Sequence, residues 1–417
     1  MTSLMRSAMA NSIGLQCSLA LRNVFRQRLR SGLAVFAIAV GVAAVMVASG
    51  FVEDIFHNLR EATIRSQLGH AQITVAGFQG RSGQSASRFL IPEPVRLARE
   101  LSSADGVGLV TQRVHFSALA GHGRASLPVL VEGVEPDNER QFASAFTLLE
   151  GEPLDLRNRF GLLLGEGLSI SLHARLGDDV TLLVSTPDGA LNTLDFVVAG
   201  VFRTFSKDYD ERAVRILLSA AQELMGTVAV DTLVLLFDST DRTDLMVELL
   251  RAKYAANGLE VTPWLALADF YRQAVDLYRR QLLVLQLIIA CMMVLMVGNS
   301  MSMTVYERTG EFGTMRALGN RRRAVFGLVV LESTILGCIG ASMGLILGYM
   351  VSTILSSVGI PMPPPPNSNA AFVAQVQLVT SQLPAVFGLG VVATILGAIV
   401  PAFRASRISV VDALRFN

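Results

Sequence analysis

The chain has 417 residues, 51% of them hydrophobic and 17% charged, with a mean hydropathy of +0.48, where a soluble domain carries nearer a quarter charged residues. Its 35 basic and 34 acidic residues leave a net charge of +1, which gives no global argument for a nucleic-acid partner. Cys17, Cys291 and Cys338 all lie outside the large polar region, which excludes a disulfide framework or cysteine-based zinc site there.

Residues 1–30 carry Arg6, Arg22, Arg26, Arg28 and Arg30 and no acid, and are predicted as an amphipathic helix. Residues 31–52 are uncharged and long enough to cross a ~30 Å hydrocarbon core, so they form transmembrane helix 1. A cleaved signal is disfavoured, because the apolar part is too long and the basic leader too extended.

Residues 53–263 form a polar α+β domain. Strand-like runs recur in it: "AQITVAG", "VTQRVHFSALAG", "SLPVLVEGV", "DVTLLV", "LDFVVAGVF" and "DTLVLLF". "PEPVRLARELSSADGVGLVTQRV" and "STDRTDLMVELLRAKYAANGLEVTPW" each read as helix, glycine stop, strand, and each follows a strand. Two such β-α-β units predict a ferredoxin-like lobe, with a second, β-rich lobe between the copies.

Residues 264–305 read as a stalk continuing into transmembrane helix 2. No Gly or Pro interrupts 264–297, and a helix of that length would be about 50 Å long, beyond the ~30 Å core. A short helix followed by a kinked loop is the alternative. Residues 306–323 form a charged helix, 324–355 transmembrane helix 3, 356–383 a Pro-rich loop, 384–403 transmembrane helix 4 and 404–417 a tail. No Asp, Glu, Lys or Arg occurs from Ser333 to Phe403. Arginines crowd the leader, the 307–323 segment and the tail, so these are placed in the cytoplasm, with both termini, and the large domain is exported. Arg272, Arg279 and Arg280 end a long translocated domain, where the rule is weak.

No GxxxxGK[ST], HExxH or GxSxG occurs, and the histidines show no paired metal spacing. The sequence therefore predicts no catalytic residue and no metal site. The chemistry-bearing stretch is "YERTGEFGTMRALGNRRRA". Glu307 and Glu311 stand one turn apart, Phe312 and Met315 form an apolar patch, Arg308 and Arg316 add charge, and Gly319 ends the helix. Mixed charge around an aromatic knob reads as a docking surface for a protein, so replacing Glu311 and Phe312 is expected to uncouple function without unfolding. Arg321–Arg323 read equally as docking residues or as a positive-inside anchor.

Other residues carry two readings each. Glu332, two turns into helix 3, either pairs with a cytoplasmic arginine such as Arg404 or snorkels to the interface. Gly340, Gly344 and Gly348 permit close helix contact, within one subunit or at a dimer seam. Met292, Met293 and Met296 line an acyl-chain cavity or simply pack.

"ERTGEFGTMRALGNRRRAVFGLVVLES" resembles the coupling-helix segment of the MacB/FtsX-like permeases of ABC transporters. "PAFRASRISVVDALR" resembles the motif closing that family, and "LALRNVFRQRLRSGLAVFAIAVGV" its opening helix. "LLLGEGLSISLHARLGDDVTLLV" looks like its exported domain, and "GHAQITVAG" is most similar to the lipoprotein-releasing LolC/LolE branch. Gly310 stands where the family often has a charge, and Val410 and Asp412 where Pro and Glu are frequent.

The resemblance implies an α-helical bacterial inner-membrane protein with four transmembrane helices and a large periplasmic α+β domain inserted between helices 1 and 2. It implies a non-catalytic subunit that binds no cofactor itself. ATP and Mg would be bound by a partner ABC ATPase dimer beneath two permease subunits, identical or homologous. The expected function is to extract lipoproteins or lipids for a periplasmic carrier. The alternatives are MacB-like efflux through an adaptor and outer-membrane duct, or FtsX-like regulation of a cell-wall hydrolase, for which the exported region is larger than needed.

Overall fold

The computed structural model describes residues 28–78, 89–139, 147–204, 206–362 and 372–409. The leader helix expected before Arg28, the proline run of the Pro-rich loop and the tail beyond Ser409 lie outside the described residues. In chain order the main elements are α1 (Arg28–Thr63), β1 (Ala71–Val75), α2 (Pro94–Ser102), β2 (Val107–His122), β3 (Ala125–Val134), β4 (Thr147–Gly151), β5 (Gly161–Gly165), α3 (Glu166–Leu172), β6 (Asp179–Ser185), β7 (Leu191–Arg203), β8 (Ala213–Leu217), α4 (Leu218–Met225), β9 (Thr232–Phe237), α5 (Thr243–Tyr254) and β10 (Leu259–Pro263). Then follow α6 (Asp269–Glu307), α7 (Thr309–Ala317), α8 (Arg322–Val358) and α9 (Leu383–Arg407). The chain divides into a helical unit (1–56, 276–360, 373–417) and a mixed unit (57–275, 361–372).

In the mixed unit, strands β10-β1-β9-β2 lie side by side, all antiparallel. Helices α2 and α5 cover one face of this part, burying Leu101, Val247 and Leu250 against Ile73, Val110, Leu235 and Val261. This is the split β-α-β topology, built from the two strand–helix–strand segments of the sequence. The β-rich remainder does not form a separate sheet. The order continues β2-β3-β8-β5-β7-β4, with β6 pairing β2 and β7, so β1 to β10 join one 10-stranded sheet. The reason is β2, which pairs with β9 from Val107 to Arg113 and with β3 from Arg113 to His122. Two cores remain; the second packs Val114, Val131, Leu164, Phe196 and Ile216 beneath Ala220 and Leu224 of α4.

His70 sits just ahead of β1. Its Nδ1 accepts the Phe237 N–H at 3.0 Å, its ring stacks on Phe237, and its Nε2 lies 3.0 Å from Thr240 Oγ1. Thr240 in turn donates to Glu61 at 3.0 Å. Burial holds the imidazole neutral, against the pull of Glu61, and lowers its pKa from 6.5 to about 4. The unfolded chain then binds the extra proton first, so this contribution to stability is full above about pH 6.5 and is lost as pH falls towards 4. The difference in thermal midpoint between wild type and His70→Asn is therefore expected to narrow from pH 7 to pH 5.

In the helical unit, α1, α6, α8 and α9 are each long and apolar enough to cross a membrane. Helix α1 runs past Val52 to Thr63, burying Ile55, Phe56 and Leu59. Phe56 meets Tyr278 edge-on at 6.3 Å, so α1 and α6 stay together beyond their apolar parts. The helix expected to be continuous from Trp264 instead breaks at Ala268 (φ −90°, ψ 68°), and α6 starts at Asp269. From there it is unbroken to Glu307, about 58 Å by helical rise.

Gly340, Gly344 and Gly348 face α1 of the same chain. A Cβ on Gly344 would stand 2.6 Å from Val42 Cβ, and on Gly340 2.8 Å from Ile38 Cβ. On the same side of α8, about two turns before Gly340, Ser333 Oγ donates to the Thr394 carbonyl of α9 at 2.8 Å. Helix α8 is thus held against two neighbours by close backbone approach rather than by large side chains.

Candidate coupling site

The charged segment is not one helix. Helix α6 ends at Glu307, Arg308 takes a non-helical conformation (φ −99°, ψ 16°), and α7 covers Thr309–Ala317. Gly319 then adopts φ +94°, a conformation that favours glycine, and α8 starts at Arg322. The segment therefore turns sharply twice, and α7 lies across the end of the bundle against α8 and α9.

Arg308 organises this corner. It is buried, its Nε donates to Glu311 Oε2 at 2.8 Å, and its Nη1 donates to both Glu332 oxygens at 3.0 and 2.9 Å. Its guanidinium also lies 5.2 Å from the Phe312 ring centre. Glu332 is itself buried on α8, so the expected pairing with Arg404 is replaced by Arg308. The geometry explains the choice: the break after Glu307 turns the next side chain back into the bundle, at the level of Glu332.

Phe312 is not a docking knob. It is 1% exposed, in a cluster with Val305, Val325, Val329 and Ala405, and Met315 packs on the same cluster. A short helix gains little from its own hydrogen bonds and needs such an apolar anchor. Phe312→Ala would therefore unseat α7, and the expectation of clean uncoupling at this position is corrected. Arg316 is tied as well, its Nη1 donating to the Ile408 carbonyl beyond α9 at 2.8 Å. What the segment presents outward is Tyr306, Glu307, Thr314, Ala317, Leu318 and Gly319 through Arg323. Leu318 is 87% exposed, the most exposed large hydrophobic residue among those described, and the sequence reading passed over it.

Met292, Met293 and Met296 of α6 do not share a face. Met293 is buried against α1, its side chain standing where a Cβ on Gly41 would be, while Met292 and Met296 point away from the bundle. No group of three or more His, Cys, Asp or Glu able to hold a metal occurs among the described residues.

The arrangement is a joint in which two helices and an ion cluster converge on an exposed turn. A profile for the MacB-like periplasmic core domain matches residues 31–253, more than half the chain, and one for the FtsX-like permease C-terminal region matches residues 283–410. The macrolide export ATP-binding/permease protein MacB of Nitrobacter winogradskyi is 28% identical over 263 residues, covering 60% of this chain and 38% of that protein. The ABC transporter permease YvrN of Bacillus subtilis is 31% identical over 121 residues, 29% of this chain and 26% of that protein. The chain thus spans well under half the length of these two curated relatives. The lipoprotein-releasing system transmembrane protein LolC of Xylella fastidiosa is 22% identical over 413 residues, covering 92% of this chain and 93% of that protein. The chain belongs to the family of ABC transporter permeases with a MacB-like periplasmic core domain and an FtsX-like permease C-terminal region.

Proposed function

We propose that this permease draws acylated lipoproteins or lipids from the outer leaflet of an inner membrane and hands them to a periplasmic carrier, driven by a separate ATPase dimer that binds ATP and Mg. The observation that carries this reading is the near end-to-end match to LolC, 93% of that protein's length. Both termini and the coupling segment are then cytoplasmic, in keeping with the arginines there.

The physical path begins at the exposed turn. Leu318 is the apolar anchor offered to a cleft on the ATPase, with Thr314 and Arg321–Arg323 around it. Motion of α7 passes to α8 through Arg308 and Glu332, and to the end of α9 through Arg316. It also passes into α6, a single helix as far as Asp269. A stiff two-state element of this kind is what coupling requires.

The test is reconstitution of the permease with its ATPase in vesicles holding a triacylated lipoprotein and an acceptor carrier. ATP-dependent release supports the reading; no release, with ATP turnover intact, removes it. In the same vesicles Leu318→Asp is expected to cut release by at least about tenfold while the protein stays folded, since a charge in an apolar cleft costs roughly 1.4 kcal/mol or more. The MacB-like core profile favours a second reading, export of a soluble amphiphile through an adaptor and duct. Uptake of a macrolide in place of lipoprotein release would select it.

A further inference from the structure

Arg272, Arg279 and Arg280 precede the apolar run of α6, on the side where the positive-inside rule disfavours them. Arg272 pairs with Asp269, one turn away. Arg279 and Arg280 are exposed and have neither an ion pair nor a hydrogen bond among the described residues. Asp276 lies one turn before them on the same side of the helix, a spacing that commonly closes an ion pair. It too is exposed and has no such partner among the described residues. The acids of α1 within a turn of Phe56 are turned elsewhere. Asp54 accepts the Gln375 N–H at 2.8 Å and Gln377 Nε2 at 3.2 Å, and Glu53 accepts from Gln382 Nε2 at 3.4 Å. Arg279 instead lies against Phe56, its guanidinium 5.9 Å from the ring centre, beside the edge-on contact with Tyr278.

Depth identifies what these charges meet. In the orientation proposed above, about 40 Å of helix separates Arg280 from the cytoplasmic end of α6 at Glu307. A bilayer is about 30 Å thick in hydrocarbon and about 40–45 Å with its headgroups. Arg279 and Arg280 therefore stand in the outer headgroup layer, with Asp276 about 5 Å beyond them. We infer that Asp276, Arg279 and Arg280 form a site for the headgroup of an outer-leaflet phosphatidylethanolamine, the arginines taking the phosphodiester and Asp276 the ammonium. A guanidinium donates two parallel N–H bonds to two phosphate oxygens. Phosphate nearer the hydrocarbon and amine farther out match the order of the three side chains along α6. A primary ammonium brings Asp276 three N–H donors, which the quaternary amine of choline lacks and a glycerol headgroup replaces by neutral hydroxyls. The acylated cysteine of a lipoprotein carries no phosphate, so the ligand is a bilayer lipid and not the cargo. The proposal rests on the transporter reading in taking α6 as a membrane helix with the mixed unit outside, and on nothing about cargo or ATPase.

The test is native mass spectrometry of the full chain, purified in mild detergent and titrated with equimolar phosphatidylethanolamine and phosphatidylglycerol. Wild type is expected to retain the ethanolamine lipid at least about threefold over the glycerol lipid. Asp276→Asn, which removes the acid and keeps both arginines, is expected to reverse the preference. Arg279→Gln with Arg280→Gln is expected to lower retention of both lipids at least about fivefold. Arg272→Gln, the charge control, is expected to leave it unchanged. All four side chains are exposed, so each variant is expected to keep the wild-type thermal midpoint. Equal retention of the two lipids by wild type, or an unchanged preference in Asp276→Asn, overturns the ethanolamine assignment. A double variant that binds no more weakly than Arg272→Gln overturns the site. The assay needs neither ATPase nor cargo, so loss of ATP-dependent lipoprotein release with lipid selectivity intact removes the transporter reading alone.

Discussion

Arg308→Ala is expected to be among the most damaging single substitutions in the helical unit. It takes from the buried Glu332 carboxylate the guanidinium that both its oxygens accept from, and removes the group that holds Glu311 and lies over Phe312. Breaking a buried pair by removing one partner costs about 3–5 kcal/mol, and a carboxylate inside a bilayer costs about the same order on its own. The measurable result is loss of detergent-resistant folded protein and a lowered thermal midpoint. The double replacement Arg308→Met with Glu332→Gln removes both charges and is expected to recover most of the stability, because an apolar or neutral pair of similar volume often matches a buried ion pair. If the single variant is as stable as wild type, Arg308 does not hold the joint.

The second large effect is expected in the mixed unit, at Glu132. The register places His115, Glu132 and Arg215 in one row across β2, β3 and β8. Glu132 accepts from Arg215 Nε at 2.8 Å, from Tyr209 at 2.6 Å and pairs with Arg113 at 3.0 Å; both arginines and Glu132 are buried. Burial opposes its charge, but Arg215 and Arg113 hold its carboxyl well below the usual range. His115 lies between Asp231 and Glu132, whose charges outweigh burial and push its pKa up to about 10. Its stabilisation is thus present below pH 6.5 and lost as pH rises towards 10, the reverse of His70. Glu132→Ala takes the shared carboxylate from two buried arginines, leaving Glu139 beside them (Arg113 Nε at 2.8 Å, Arg215 Nη1 at 3.9 Å), and should cost about 3 kcal/mol, a fall of roughly 10 °C in the midpoint of a domain this size. Glu132→Gln keeps acceptors for Tyr209 and Arg215 and should fall between. A midpoint unchanged in Glu132→Ala would show that the arginines are satisfied without it.

These two centres differ in how far the sequence exposed them. The apolar runs announced their helices by length alone, and the glycines at 340, 344 and 348 announced a close contact, though not its partner. The strand–helix–strand segments around 71–122 and 232–263 carried the split β-α-β order in their stop signals. The charged segment was visible because nothing else near it is charged. Its inside and outside were not. A three-residue spacing of Phe312 and Met315 looks the same on a docking surface as on a buried anchor, and only the turn at Arg308 decides between them. The same turn selected Arg308 over Arg404 for Glu332. The joining of two lobes in one sheet depends on β2 changing partners at Arg113, which no local pattern records. The row at His115, Glu132 and Arg215 left a signal that went unused: single charges flanked by apolar residues inside strands, "RVHF", "LVEGV" and "AVRIL".

In the proposed function, motion imposed on α7 reaches the transmembrane helices through Arg308 and Glu332. That path is tested most directly by the ratio of lipoprotein released to ATP hydrolysed, in vesicles carrying the partner ATPase and the Arg308→Met, Glu332→Gln variant. The expected result is a folded transporter that hydrolyses ATP at a rate near wild type and releases at least about tenfold less per ATP. A folded variant with an unchanged ratio would contradict it.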